Sequence, residues 1–229
     1  MAVELNGPRN IYEELWTDAV AAFARNAPRI DPHLRNRAAD PRRGVALAAR
    51  PDAQVCERVQ KFLRKITAIA PGQHFYRPEE FHVTVYSIIP GSPAWKESAQ
   101  RLPEYLAVLD GVLENRPAFS IAFRGVTASP EAVMIQGFPV GDALNELRDE
   151  LARRDVGANL KRRYKIAAAH LTMMRFSTPM QDCRPLLEIL AANRDTDFGE
   201  TRVRSLQLVE GDWYASADTV RVLREYPLV

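Results

Sequence analysis

Two histidines in this chain are each followed, two positions later, by a threonine. His82 and Thr84 form the first pair, and His170 and Thr172 form the second. Both pairs lie in short apolar runs, which are typical of buried β-strands. Side chains alternate across a strand, so a histidine and the threonine two positions later point to one face. Each strand is therefore predicted to present an imidazole and a hydroxyl together.

An imidazole beside a hydroxyl suits acid–base chemistry on an anion. Histidine has an ordinary pKa of about 6.5 and acts as base or acid at neutral pH. Two such faces brought together would place two titrating groups and two hydrogen-bond donors around one ligand. A single histidine on an apolar strand is more often a hydrogen-bonded core residue, so it is the repeat of the pattern that favours a site.

The composition is that of an ordinary globular chain. The 229 residues are 46% hydrophobic and 26% charged, with a formal net charge of +2. Proteins that bind long duplex nucleic acid without sequence specificity are usually more basic. The small net charge is therefore more compatible with a small phosphorylated ligand or a nucleic-acid end. Cys56 and Cys183 are far apart, which disfavours a disulfide framework or a structural zinc site. With no signal-peptide pattern or long apolar run, we expect a cytoplasmic protein.

The elements that position the two motifs follow a distinct N-terminal region. Residues 10–26 predict one amphipathic helix, and an arginine-rich arm continues to residue 43. The arm either covers an anionic ligand or forms a solvated loop, and its arginines are Arg29, Arg35, Arg37, Arg42 and Arg43.

From residue 44 the predicted order is strand, helix, strand, helix, strand pair, helix, strand, helix and strand pair. Asp52 is the expected N-cap of the first of these helices. Each half contains a His-x-Thr strand preceded by a helix, which indicates a weak internal duplication. The pattern predicts an α+β fold of two pseudo-symmetric lobes, each a small, mostly antiparallel sheet backed by helices, with a central cleft. Residues 1–43 would form the N-terminal helix and arm, and residues 44–229 the bilobal domain.

The motifs carry a resemblance to a known family. HVTV at His82 and HLTM at His170 resemble the paired H-x-T/S-x motifs of the 2H phosphoesterase superfamily, which includes cyclic phosphodiesterases and bacterial RNA 2′,5′ ligase-like proteins. Residues 76–81 and the closing apolar runs resemble further parts of the family pattern, and the likeness covers residues 44–229. The first motif departs from the common version, because Tyr86 and Ser87 stand where that version continues with an aliphatic-Phe-Leu-Gly pattern.

The resemblance implies a metal-independent phosphodiesterase that hydrolyses a 2′,3′-cyclic phosphate or a related phosphodiester of a nucleotide or RNA end. His82 and His170 would serve as general base and acid, and Thr84 and Thr172 would hold the phosphate. No cofactor or metal is expected. The expected partner is a small nucleotide or RNA terminus rather than a membrane, and we expect a monomer.

Four further residues are candidates for ligand contacts. By strict alternation, Tyr86 shares the face of His82, where it would either stack on a base or pack in the core. Arg175 is a candidate phosphate contact, although strict alternation places it on the face opposite His170. Arg163 and Lys165 precede the second motif and meet the same difficulty.

Other classes of function remain as alternatives. A metal-dependent hydrolase is disfavoured because no H-E-x-x-H or H-x-H cluster occurs, and phosphate-loop and dinucleotide-binding motifs are missing from the sequence. The main alternative is a non-catalytic module on the same fold that binds a nucleotide or RNA end. A structural or interaction protein with a relict site is a third possibility. The two titrating groups favour catalysis, because binding alone does not need them.

Overall fold

The protein is described here from a computed structural model covering residues 6–154 and 168–229. The six α-helices of this part of the chain are α1 (Asn6–Phe23), α2 (Ala53–Ile69), α3 (Trp95–Ala99), α4 (Leu102–Leu113), α5 (Ala143–Arg153) and α6 (Arg184–Ala191). Its nine strands are β1 (Arg43–Ala49), β2 (His74–Phe75), β3 (Val83–Ser92), β4 (Phe119–Ser129), β5 (Ala132–Val140), β6 (Leu171–Arg175), β7 (Asp197–Val203), β8 (Ser205–Asp212) and β9 (Arg221–Pro227).

The strands form two antiparallel sheets. The first sheet has the order β3-β1-β8-β9, and the second has the order β2-β6-β5-β4-β7. One His-x-Thr strand lies in each sheet, β3 in the first and β6 in the second. The predicted α+β class with two lobes is therefore confirmed.

The helix α2 illustrates how local sequence sets an element. The Asp52 carboxylate accepts a hydrogen bond from the Val55 N–H at 3.0 Å, as expected of an N-cap. The apolar face predicted from the helical period is buried, and it comprises Val55, Val59, Phe62, Leu63 and Ile66. Phe62 meets Phe198 of β7 edge-to-face, which places α2 on the second sheet.

The N-terminal helix α1 begins and ends slightly before the predicted residues 10–26. It packs on β4 and buries Tyr12, Ala19 and Phe23. Three residues after the end of α1, Asn26 adopts a left-handed backbone conformation with a φ of 51°. Side chains of small polar residues tolerate this left-handed conformation better than most. No helix in residues 6–154 and 168–229 is long and apolar enough to cross a membrane.

The lobes are not successive halves of the chain. After β7 ends at Val203 in the second sheet, β8 begins at Ser205 and returns the chain to the first sheet beside β1. The sequence pattern predicts one strand near residues 203–209, which corresponds to β8, and misses both β7 and the short β2. A single residue separates β7 from β8, so no turn signal in the sequence marks the change of sheet. The predicted basic segment around Arg163 and Lys165 lies outside the described residues.

Candidate active site

The two His-x-Thr strands line one cleft between the sheets. His82 and Thr84 reach it from the first sheet, and His170 and Thr172 reach it from the second. The cleft has a volume of about 240 Å³, and these four side chains are half-buried in its wall. The structure therefore brings together the four residues that the sequence pattern pairs.

A short turn before β3 orients the His82 ring. The turn is a 3-10 helix from Pro78 to Glu80, and the Glu80 carbonyl oxygen lies 2.8 Å from His82 Nδ1. A carbonyl only accepts, so Nδ1 carries the proton and Nε2 is available to a ligand. The buried Glu80 carboxylate accepts from the backbone N–H groups of Arg77 at 2.8 Å and Ala217 at 3.1 Å. These bonds hold the turn against the β8–β9 connection.

The first motif strand contains a β-bulge directly after its threonine. Thr84 pairs with Ala48 of β1, and Tyr86 pairs with the neighbouring Leu47, so Val85 is the extra residue. An extra residue reverses the alternation of the side chains that follow it. The residues after Thr84 therefore change faces relative to a regular strand.

The second motif strand has its bulge at the equivalent place. Thr172 pairs with Met134 of β5, and Met174 pairs with Val133, so Met173 is the extra residue. Both Met173 and Met174 are fully buried, as expected when two consecutive side chains face the core. The two motifs thus share a bulge as well as a His-x-Thr core.

These bulges decide which later residues reach the cleft. Tyr86 is only 9% exposed and packs in the core, which corrects its assignment to the face of His82 and supports the second of its two expected roles. Ser87, which the sequence reading misses, lines the cleft in its place. Arg175 also lines the cleft, although strict alternation places it on the opposite face. Ser87 and Arg175 occupy equivalent positions after the two histidines.

Arg175 is held at the cleft wall by a tyrosine. Its Nε donates a hydrogen bond of 2.9 Å to the Tyr76 hydroxyl, and both side chains line the cleft. The short strand β2 pairs His74 with Arg175, which brings the residues before the first motif beside the second motif. The sequence does not predict the role of Tyr76, because its contact with Arg175 joins distant parts of the chain. Tyr76 belongs only to the segment 76–81 that resembles the family pattern.

Burial controls the titration of both histidines. Desolvation lowers the pKa of His82, and the hydrogen bond to the Glu80 carbonyl opposes this shift. Desolvation, followed by the charges of His82, Arg175 and Arg148, lowers the pKa of His170 to about 4. Both imidazoles are therefore neutral at pH 7 without a ligand. A bound anion would raise both pKa values, because it favours the charged form of each ring.

The remaining wall of the cleft offers hydrogen-bond donors. The hydroxyls of Thr84 and Thr172 line the cleft, and neither bonds to another residue in the described ranges, so both are open to a ligand. Within residues 6–154 and 168–229, no group of three or more His, Cys, Asp or Glu side chains is placed to hold a metal ion.

An exposed tryptophan in the β8–β9 connection also lines the cleft. Trp213 is 42% exposed, and the guanidinium of Arg42 lies 4.9 Å from the centroid of its ring. Gly91 of β3 leaves room for the ring, since a Cβ there would come within 2.6 Å of Trp213 Cε3. Arg42 forms ion pairs with Asp31 and Asp40 at 3.0 Å and 2.7 Å. The arginine-rich arm therefore reaches the mouth of the cleft through Arg42, which anchors the tryptophan.

Comparisons with known proteins identify the fold. No protein-family model matches the chain, and no curated protein matches its sequence significantly. Among solved structures, it is similar to the conserved protein of unknown function ATU0111 from Agrobacterium tumefaciens str. C58, with a TM-score of 0.64 and 14% identity over 90% of this chain and 97% of that one. It is also similar to TT0787 of Thermus thermophilus, with a TM-score of 0.56 and 15% identity over 80% and 97% of the two chains.

E. coli LigT is a third similar protein, and its solved structures include complexes with phosphate and with 3′-AMP. Both have a TM-score of 0.50 and cover 82% of this chain and 98% of LigT, at 15% and 14% identity respectively. The chain therefore shares the fold of LigT, TT0787 and ATU0111.

Proposed function

We propose that the protein is a metal-independent phosphodiesterase that hydrolyses a 2′,3′-cyclic phosphate, or a related phosphodiester, of a nucleotide or RNA end. The observation that carries the proposal is the matched pair of His-x-Thr strands, one from each sheet, which line a single cleft. A binding site for an anion does not need two titrating rings, whereas phosphodiester hydrolysis uses both a base and an acid.

The chemistry follows from two imidazoles beside one phosphorus atom. One neutral imidazole takes a proton from water, and the water oxygen forms a new bond to phosphorus. The bond from phosphorus to one ribose oxygen breaks, and the second imidazole, in its protonated form, delivers a proton to that oxygen. The Thr84 and Thr172 hydroxyls donate to the non-bridging oxygens, where negative charge grows in the transition state.

The surroundings of the histidines suit an anionic nucleotide. Arg175 adds a positive charge to the cleft wall, where it would contact the phosphate. Trp213 offers an exposed ring in the same cleft, and nucleic-acid bases stack on such rings. The complexes of LigT with phosphate and with 3′-AMP, on the same fold, support this class of ligand.

The test is a screen of 2′,3′-cyclic nucleotides and of oligonucleotides that end in a cyclic phosphate. The wild type, H82A and H170A are assayed with and without EDTA, and the opened products are separated by chromatography. We expect turnover by the wild type that persists in EDTA, and turnover at least about 100-fold slower by either variant. Tight binding of these ligands without turnover would overturn the proposal in favour of the non-catalytic binding module, and loss of all activity in EDTA would overturn its metal independence.

A further inference from the structure

One buried arginine outside the cleft lining contacts both motif strands. Arg148 of α5 is 5% exposed, and its Nε donates to the Val85 carbonyl at 3.0 Å. Its Nη2 donates to the Ala168 carbonyl at 3.0 Å and lies 3.4 Å from the Thr84 carbonyl. All partners of Arg148 in the described part of the chain are backbone carbonyls. One side chain therefore joins the residues after His82 to the residues before His170.

The carbonyls that Arg148 contacts belong to irregular backbone. Thr84 and Val85 form the bulge of β3, where the ladder of backbone hydrogen bonds is interrupted. Ala168 lies before β6, which begins only at Leu171. A buried carbonyl without a partner costs free energy. Arg148 contacts all three of these carbonyls.

A tyrosine from α1 contacts the backbone next to Ala168, just before His170. Tyr12 is fully buried, and its hydroxyl donates to the Gly137 carbonyl at 2.9 Å. The same oxygen accepts from the N–H groups of Gly137 at 3.0 Å and Ala169 at 3.2 Å. The Ala168 carbonyl and the Ala169 N–H are the two ends of one peptide group. Arg148 and Tyr12 thus fix both ends of the peptide that precedes His170.

We propose that Arg148 is a positioning residue that couples the two motif strands and sets the relative placement of His82 and His170, with Tyr12 as its counterpart at the second motif. The inference rests on the proposed function for its catalytic consequence. Arg148 lies outside the residues that line the cleft, so it acts through the backbone rather than on the substrate.

Only arginine fits this role. Its planar fork offers donors in fixed directions, so one side chain reaches carbonyls on two strands at once. A lysine keeps the charge but presents one compact ammonium, which cannot bridge the same atoms. Burial lowers the pKa of Arg148 to about 10, so the guanidinium remains charged at neutral pH. Its charge also contributes to the lowered pKa of His170.

The test compares R148K and R148M with a matched control, R116M. Arg116 is a partly buried arginine that donates to the backbone carbonyl of Val112 at 2.8 Å and pairs with Glu150 of helix α5. Neither partner belongs to a motif strand. We expect R148K and R148M to lower kcat about 100-fold, because small misplacements of catalytic groups have effects of this size. We expect a smaller effect on KM than on kcat, since the residue does not touch substrate. The control should retain the wild-type kcat.

A second readout does not depend on turnover. NMR titration of the ring nitrogens should show a higher pKa for His170 in R148M, because a nearby positive charge is removed, and an unchanged value in R116M. Inorganic phosphate should shift both imidazoles of the wild type with one common Kd and bind more weakly to R148K. Should R148M fail to fold, R148K and Y12F decide the matter, and Y12F should lower kcat with little change in KM.

Two results would overturn the proposal. One is wild-type kcat and phosphate affinity in folded R148K. The other is an activity loss that matches the loss of thermal stability and is shared by R116M. If the wild type hydrolyses no cyclic phosphate, the proposed function fails, but the phosphate titrations of the histidines still decide whether Arg148 positions them.

Discussion

At the scale of single residues, the proposed chemistry depends on the two imidazoles. H82A and H170A should each lower kcat by roughly 10²- to 10⁴-fold, the range for the loss of a general acid or base. Circular dichroism should show that both variants fold. The matched control is H33A, because His33 lies in the arm, outside the cleft lining, with a partly exposed side chain. Wild-type kcat in either cleft variant would contradict the assignment of these two histidines.

The two threonine hydroxyls should matter in the transition state more than in the ground state. T84V and T172V keep the shape of the side chain and remove its donor. We expect each to lower kcat by roughly 10²-fold with a smaller effect on KM, because one donor to a developing oxyanion has this value. T84S and T172S restore the hydroxyl and should recover most of the activity. A serine variant as inactive as its valine counterpart would show that packing, rather than donation, is the role of the threonine.

The buried histidines predict two different pH profiles. Without ligand, the pKa values of His82 and His170 lie below the ordinary value, and that of His170 is about 4. The bell-shaped pH profile of kcat/KM reports the pKa values of the free protein, so its maximum should lie on the acid side of pH 6.5. The pH profile of kcat reports the pKa values of the complex with substrate. The phosphate raises both of these pKa values, so the maximum of this profile should lie at higher pH. Coincident profiles, recorded from steady-state rates across pH, would contradict this account.

At the scale of elements, two matched bulges shape the site. The bulges at Val85 and Met173 move Ser87 and Arg175 to the cleft and Tyr86 to the core. The sequence contains a trace of them, because in each strand two consecutive apolar residues break the alternation and are followed by a polar one. Strict alternation overlooks this signal. The shared bulge extends the internal duplication from residue types to backbone geometry.

The β8–β9 connection should control recognition of the base. W213A removes the exposed ring from the cleft, and we expect KM for a cyclic nucleotide to rise roughly tenfold, consistent with the free energy of one stacked base. G91A should act in the same direction, since its Cβ would collide with the ring. V222A, at another exposed apolar residue of the first sheet, is the control. Unchanged KM in W213A would remove Trp213 from the recognition surface.

At the scale of the whole molecule, both ends of the chain support the cleft. The C-terminal strands β8 and β9 complete the sheet that carries the first motif. The N-terminal helix α1 supplies Tyr12, which bonds the backbone just before His170. Residues far apart in sequence therefore fix the positions of the two motifs.

Stability should fall on mild acidification. The pKa values of His74 and His170 are lowered to about 4 by burial. The unfolded chain therefore binds more protons between about pH 6.5 and pH 4, so the free energy of unfolding is constant above this window and decreases as pH falls through it. Carboxylates with lowered pKa values, such as Asp31, lose their contribution at still lower pH. Urea denaturation at a series of pH values measures the slope.

The variant H170N should reduce that slope, because it removes one of the groups that titrate differently in the two states. Its stability at pH 8 relative to the wild type serves as the reference for the substitution itself. A free energy of unfolding that stays constant from pH 6.5 to pH 4 in the wild type would contradict the burial of neutral histidines.

The sequence alone determines the features that repeat locally. The His-x-Thr spacing places each imidazole beside its threonine, and the helical period with Asp52 as N-cap defines α2. These patterns depend on neighbours along the chain, so they survive without knowledge of the fold. The two motifs and their occurrence in two antiparallel lobes follow from such patterns.

Only the tertiary structure decides what reaches the cleft and what holds it. A bulge depends on the pairing of two strands, so it cannot be obtained from the alternation of one. The contacts of Tyr76 with Arg175, and of Arg148 with both motif strands, join distant segments. Hydrogen bonds of this kind leave no period in the sequence, because each depends on one side chain meeting one partner. The His-x-Thr pairs come from local spacing, and their assembly into one site comes from these long-range contacts.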